Sequence, residues 1–247
     1  MADFELKEKT ILITGGSSGI GRATALACAE QGAKVVVLGT NQQRLDEAFE
    51  SLKGSGHMKV NYNLLVNDDY SDLFTNITNR VGKLDGMVHS AGMEGGIPLR
   101  VITWEKMNQI MSLNFFAFVE LVKQFSKKKY SNGGSIVGVS SLAADRGEVS
   151  MITYSASKGA MDAAVRCMAV ELIPKGIRVN TVKPGMIATE MLERGLERGI
   201  EQEVATGASA MGIGAPEDVA NAIMFLLSDL SKHTSGRAVF VDGCGFK

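Results

Sequence analysis

A doubly wound α/β domain is the fold this sequence predicts, a parallel sheet of seven strands with helices on both faces. Three observations predict it. Seven short aliphatic runs recur along the 247 residues, helical patterns separate them, and a glycine-rich turn joins the first run to the first helix. Several runs are apolar at consecutive rather than alternate positions, which marks strands buried on both faces. Repeated strand–helix units with short connections build such a sheet, and right-handed crossovers set helices on either side of it.

The first run, Thr10–Thr14 (TILIT), leads into a helix over 20–31, and Gly32 suits the left-handed conformation that closes a helix. The run 34–38 (KVVVL) and a helix over 42–52 follow, then a strand over 58–63 and a helix over 70–80. The strand 84–90 precedes a long apolar helix over 104–129, and 135–140 (SIVGVS) precedes a helix over 154–174. After the strand 177–182 (IRVNTV), residues 188–214 are rich in charges, glycines and small side chains, and read as short helices on a mobile substrate lid. Pro216 opens the last helix, to 228, with Glu217 and Asp218 at the positive end of its dipole. Ala238–Val241 completes the sheet. With four prolines and no proline-rich linker, residues 1–247 read as one domain.

Lys and Arg total 26 against 27 Asp and Glu, a formal net charge of −1. That balance argues against nucleic acid or an anionic membrane as a partner. Apolar runs fall short of the ~18 residues a membrane helix needs, and the polar N-terminal stretch MADFELKEKT is unlike a secretory signal. Cys28, Cys167 and Cys244 are scattered and odd in number, so neither a disulfide framework nor a metal site is expected. His57, His89 and His233 form no ligand spacing. The expectation is a cytoplasmic protein with reduced thiols.

The turn Thr14-Gly15-Gly16-Ser17-Ser18-Gly19-Ile20-Gly21 carries the first functional signal. Its glycines permit a tight turn and a close approach of a diphosphate to the backbone, and the helix it opens offers free N–H groups. The second signal is Tyr154-Ser155-Ala156-Ser157-Lys158, which sets a phenol and an ammonium one helical turn apart. A nearby cation favours the phenolate, so Tyr154 is expected to have a lowered pKa and to exchange a proton with a carbonyl or alcohol. Ser140 and Ser141 lie at a strand end, where active sites of open α/β sheets gather; the hydroxyl of either can stabilise a developing alkoxide or simply cap the loop. Asn114 is a polar amide inside IMSLNFFAFVELV; it either bonds to backbone in the core or holds a water that relays protons to Lys158.

The spacing Thr-Gly-x-x-x-Gly-x-Gly, joined to these residues in this order, resembles the short-chain dehydrogenase/reductase family from Thr10 to about Gly243. The resemblance implies a Rossmann-type fold and a catalytic tetrad of Asn114, Ser141, Tyr154 and Lys158. It implies nicotinamide-cofactor contacts from Gly15, Ser17, Ser18, Gly19, Ile20 and Gly21, from Thr40 and Asn41, and from Asn63 and Leu64 at the adenine. Ser90, Ala91 and Gly92, Tyr154 and Lys158, Pro184 and Gly185, and Ile187 and Thr189 extend the list. His89-Ser90 stands where most members carry Asn-Asn, and His89 is expected to hydrogen-bond a ribose. No carboxylate follows the second strand to repel a 2′-phosphate. Thr40, Asn41 and Arg44 can bind one, so NADP(H) is favoured over NAD(H).

Within the family the pattern is closest to 3-oxoacyl-acyl-carrier-protein reductases. Lys127, Lys128, Lys129 and Lys175 are candidates for an acidic carrier protein, although the family's docking arginine is replaced around Asn132. A sugar, polyol or hydroxysteroid dehydrogenase is the alternative of the same chemistry; a catalytically inactive nucleotide sensor is the alternative of another class. The substrate is a small carbonyl or alcohol, with an acyl-carrier-protein-bound one among the candidates. The helices over 104–129 and 154–174 are more apolar than one sheet face requires, and the resemblance, in which these helices pair between subunits, implies a homotetramer, with a dimer as fallback.

Overall fold

The computed structural model describes residues 4–66, 69–197 and 209–245. Its elements in order are β1 (Thr10–Thr14), α1 (Gly19–Glu30), β2 (Lys34–Gly39), α2 (Gln42–Glu50), β3 (Met58–Asn61), α3 (Tyr70–Val81) and β4 (Leu84–His89). These are followed by α4 (Trp104–Met111), a π turn (Ser112–Phe116), α5 (Ala117–Phe125), β5 (Ser131–Val139) and α6 (Ile152–Leu172). Last come β6 (Ile177–Pro184), α7 (Glu190–Glu197), α8 (Pro216–Leu227) and β7 (Ala238–Val241). The sheet runs β3-β2-β1-β4-β5-β6-β7, and every neighbouring pair is parallel.

The consecutive apolar runs serve two cores at once. Leu12, Val36, Leu38 and Ile136 face Phe74 of α3, Phe118 and Phe125 of α5 and Met161 of α6. Ile11, Ile13, Val35, Val37 and Val137 face Ala25 and Cys28 of α1, Leu45 of α2 and Ile223 of α8. Successive strand residues point to opposite faces, so a strand covered on both sides must be apolar at every position. Cys28 is a packed residue: burial pushes its thiol up to about 12.

The helix expected over 104–129 differs in two ways. It ends at Phe125, and the π turn interrupts it at the level of Asn114. The strand expected from 135 starts at Ser131. Pairing through Ser131–Gly134 needs close backbone approach, since a Cβ on Gly134 would stand 2.0 Å from the Asp85 carbonyl oxygen. The register against β4 shifts there, between Leu84 and Gly86. In the stretch 188–214, α7 is helical and the two ends are pinned together: Ala188 N–H donates to the Gly214 carbonyl at 2.8 Å, and Gly214 N–H to the Met186 carbonyl at 2.9 Å. Residues 198–208 of that stretch lie outside the described residues. Among the described residues, no helix is long and apolar enough to cross a membrane.

Candidate active site

The chain leaves β1 toward β2 on one side and returns to β4 on the other, so a crevice opens beyond the carboxyl ends of these two strands. The turn after β1 enters this crevice with Gly15 at φ +66°, and a Cβ on Gly15 would lie 2.7 Å from the Ala91 nitrogen. A Cβ on Gly21 would lie 2.2 Å from the Gly15 carbonyl oxygen. The Ser18 side chain does not cap α1. The first-turn N–H groups of α1, through Gly19, Ile20 and Gly21, are therefore left to an anion. Thr189 closes on the same turn, its Cγ2 3.3 Å from the place of a Gly19 Cβ. Ile187 bridges to Gly214, and Gly185 N–H donates to the Val241 carbonyl, so the exit of β6 is held between Gly214 and the end of β7. Ser90 N–H donates to the Thr14 carbonyl at 3.2 Å.

At the end of β2, Ser17 packs against Gly39, its Oγ 2.8 Å from where a Gly39 Cβ would stand. Thr40 is exposed. Asn41 caps α2, its Oδ1 accepting from Arg44 N–H at 3.0 Å. The Arg44 guanidinium is paired with Glu190 of α7 at 2.5 Å. Asn63 Oδ1 accepts from Leu65 N–H at 2.9 Å, and the carbonyl of the buried Leu64 accepts from the Tyr70 hydroxyl at 2.8 Å.

Tyr154 and Lys158 sit in the first turns of α6. The buried Lys158 Nζ donates to the Val139 carbonyl at 2.7 Å and lies 5.7 Å from the Tyr154 ring centroid. Burial lowers the lysine to about 8, against the charge of Asp162, which raises it. The lowered phenol expected from the cation is not what the geometry gives. Burial holds Tyr154 above its ordinary value, the Ser141 hydroxyl offsets part of this, and the carboxylates of Glu94 and Glu148 add to it. The ammonium donates to Val139, and burial keeps the phenol protonated. Ser141 starts a short turn, its Oγ accepting from Ala143 N–H at 3.1 Å. Its neighbour Ser140 instead donates to Asp162 at 3.0 Å.

Asn114 is fully buried in the π turn, and both ends of its amide are used. Its Oδ1 accepts from Met93 N–H at 2.9 Å; its Nδ2 donates to the Met93 carbonyl and to Ser157 Oγ, each at 3.0 Å. A Cβ on Gly92 would lie 3.2 Å from Asn114 Oδ1 and 3.5 Å from Lys158 Nζ. Asn114 therefore fastens the backbone after β4 beside Lys158.

His89 does not point to a ribose. It is fully buried, with Nε2 3.2 Å from the Leu113 carbonyl and Nδ1 3.0 Å from Thr14 Oγ1. A carbonyl can only accept, so Nε2 carries the hydrogen and Nδ1 accepts from Thr14. Thr14 Oγ1 in turn accepts from Ala91 N–H at 3.3 Å. Burial first, then the charge of Lys158, lower the imidazole to about 3 against the Leu113 bond, which raises it. Among the described residues no group of three or more His, Cys, Asp or Glu side chains could hold a metal.

The sequence also marks Glu94, Arg146 and Glu148 as polar residues of the expected pocket, with Arg146 a candidate reader of a substrate carboxylate or phosphate. Glu94 and Glu148 act on Tyr154 from the loops after β4 and β5. Arg146 is occupied by Glu148 at 2.6 Å and by the Gly245 carbonyl at 3.2 Å, rather than being open to a substrate. Lys183 is 7% exposed near the end of β6. A lysine inside the apolar run IRVNTVKP was a visible signal, because a buried ammonium requires a carboxylate partner.

A phosphate turn at the switch point of a parallel sheet, with a Ser, Tyr and Lys cluster beyond β5, defines a nicotinamide-dependent oxidoreductase. Residues 15–246 match the family model described as enoyl-(acyl carrier protein) reductase, and the chain belongs to the short-chain dehydrogenase/reductase family. It is an oxidoreductase acting on carbonyl and alcohol groups. The chain is 36% identical to the uncharacterized oxidoreductase YgfF of Escherichia coli, over 96% of this chain and 98% of that one. It is 30% identical to the 3-oxoacyl-[acyl-carrier-protein] reductase FabG of Aquifex aeolicus, over 98% of each. Among solved structures it is similar to a 7α-hydroxysteroid dehydrogenase complexed with NADH and 7-oxo glycochenodeoxycholic acid. That likeness has a TM-score of 0.91 and 30% identity, over 98% of this chain and 96% of the other.

Proposed function

We propose that this protein is an NADP(H)-dependent carbonyl reductase of the 3-oxoacyl type, with Asn114, Ser141, Tyr154 and Lys158 as its working residues. The observation that carries the reading is the meeting of the Ser141 and Tyr154 side chains one helical turn from Lys158, beside the phosphate turn. The crevice fits a dinucleotide: the glycine contacts leave no room for side chains, and the first turn of α1 has donors to spare. Gly15, Ser17, Ser18, Gly19, Ile20, Gly21 and Thr189 would hold its diphosphate. Thr40 and Asn41 would hold the adenosine ribose, Asn63 and Leu64 the adenine, and Ser90, Ala91, Gly92, Tyr154, Lys158, Pro184, Gly185 and Ile187 the nicotinamide half. When bound, the nicotinamide supplies or accepts the hydride.

The protein's own part is proton transfer and orientation. Ser141 donates to the substrate oxygen and orients it against the phenol. Tyr154, protonated because it is partly buried, gives its proton to the forming alkoxide. Lys158 supplies charge beneath the phenol once that proton has left, and Asn114 holds Gly92 and Met93 in place. Reduction of a carbonyl uses the protonated phenol, the form present near neutral pH. Oxidation of an alcohol needs the phenolate and gains from higher pH. The preference for NADP(H) is supported by the absence of a carboxylate at Thr40 and Asn41. The recess lined by Lys127, Lys128 and Lys175 opens at the amino ends of β5 and β6, away from the crevice at their carboxyl ends, so an acyl-carrier-protein partner is supported by the likeness to FabG of Aquifex aeolicus and not by these lysines. A hydroxysteroid substrate is supported by the likeness to the 7α-hydroxysteroid dehydrogenase. The segment 188–214, pinned at Met186–Ala188 and Gly214, is the proposed substrate lid.

The test is oxidation of NADPH by a short 3-oxoacyl thioester and by a 7-oxo bile acid, with Tyr154→Phe alongside. The variant is expected to lose turnover by about 10²-fold or more while keeping NADPH affinity. Full turnover in Tyr154→Phe would sink the assignment; reduction of the bile acid alone, with none of the thioester, would move it to the steroid reading.

A further inference from the structure

Asp162 lies one turn beyond Lys158 on α6, and its buried carboxylate gathers three donors. Ser140 Oγ stands at 3.0 Å, Thr181 Oγ1 at 2.9 Å and Lys183 Nζ at 3.0 Å. Lys183 reaches a second carboxylate, that of Asp145, at 2.5 Å. Asp145 belongs to the loop that begins at Ser141, and its side chain is 34% exposed, against 7% for Lys183 and for Asp162. Burial works against the charge of Lys183, but its bonds to Asp145 and Asp162 outweigh it and hold the ammonium above its ordinary pKa.

Two hydroxyls already serve Asp162. What the lysine adds is the reach to Asp145. Its Nζ also lies 5.3 Å from the Phe240 ring centroid, which confines it from the β7 side. The loop it grips carries Ser141 at one end and Glu148 at the other, and both act on Tyr154. Its other bonds are mostly internal: Ser141 Oγ accepts from Ala143 N–H, the Ser141 and Leu142 carbonyls accept from Ala144 and Asp145 N–H, and Arg146 holds Glu148 and the Gly245 carbonyl; of the loop's side chains, Asp145 is the one tied to α6 through Lys183.

We propose that Lys183 is a positioning residue for the reaction: by joining Asp145 to Asp162 it fixes the loop after Ser141 against the catalytic helix and sets Ser141 at the phenol. This rests on the roles proposed for Ser141 and Tyr154. A hydroxyl displaced by about 1 Å from a reacting oxygen costs about 10²-fold in rate. The ammonium touches neither substrate nor phenol, so its removal acts on kcat through Ser141 and leaves the phosphate turn alone.

The experiment compares Lys183→Met, Lys183→Arg and Asp145→Asn, using the thioester and bile acid above, NADPH titration, and amide hydrogen exchange over 141–148. Lys183→Met is expected to lower kcat by about 10²-fold at unchanged NADPH affinity and to speed exchange over 141–148. Lys183→Arg restores most of both, because a guanidinium also spans two carboxylates. Asp145→Asn, at a partly exposed site that folding tolerates, reproduces the loss, and the double variant loses no more than either single one. Unchanged kcat or unchanged exchange in Lys183→Met overturns the proposal, as does parallel loss of NADPH binding. If Lys183→Met does not fold, full activity in Asp145→Asn overturns it. A Tyr154→Phe protein that keeps turnover identifies failure of the underlying assignment instead.

Discussion

His89 joins three parts of the chain that sequence keeps apart: Thr14 at the end of β1, its own strand β4, and Leu113 in the π turn. Its imidazole is neutral in the fold, with the pKa lowered from 6.5 to about 3. The unfolded chain takes up a proton near pH 6.5 and the folded chain does not until about pH 3. The stability this group contributes is therefore complete above pH 6.5. It is lost as pH falls through that window, with a slope of at most about 1.4 kcal/mol per pH unit. Urea denaturation at pH 7 and pH 5 should show that loss, and His89→Asn should reduce it; equal slopes in both proteins would refute the account. The sequence marked position 89 as a departure from the family pattern but not what it did, because its partners are 75 and 24 residues away. Tyr154, Lys158 and Ser141 were legible because their spacing is local to one helix and the loop before it. The balance of forces on the phenol was not, since burial and the Val139 carbonyl are tertiary facts.

Elements were read well where a run was apolar and long, and poorly where geometry depends on a neighbour. Nothing in SLNFF distinguishes a π turn from an α-helix, yet that turn sends the Leu113 carbonyl to His89 and the Asn114 amide to Met93. The early start of β5 depends on the fit of Gly134 against Asp85, equally invisible in a single strand. The phosphate turn is the opposite case, since glycine spacing announces it. Gly21→Ala puts a methyl group 2.2 Å from backbone, and the turn must shift. Nucleotide affinity is expected to fall by at least about tenfold, with the rest of the domain still folded. Calorimetric titration with NADPH checks this, and wild-type affinity would contradict it. At the end of β2, Thr40→Asp restores the carboxylate that repels a 2′-phosphate. It should cost about 1–2 kcal/mol of NADPH affinity and leave NADH unchanged; equal effects on both would remove the specificity argument.

At the scale of the molecule, the two-faced core accounts for the hydrophobic content, but not for the apolar side chains left outside it. Trp104 of α4 is 74% exposed and Val170 of α6 is 77% exposed, with Phe116 and Ile173 also outside. Single exposed apolar residues are ordinary; several on two neighbouring helices suit a self-complementary interface. The proposed tetramer is expected to fall to dimers or monomers in Trp104→Glu and Val170→Glu, read by light scattering. Unchanged mass in both would place the contact elsewhere.

The crevice has a consequence for how the protein comes into being. Its walls come from the ends of β1, β2, β4, β5 and β6, which the chain delivers over 175 residues, from Thr10 to Pro184. No shorter piece of the chain holds all of them. Affinity for the dinucleotide should therefore emerge only after β6 docks, late in synthesis. A nascent chain stalled earlier would gain no protection from the ligand that stabilises the finished domain.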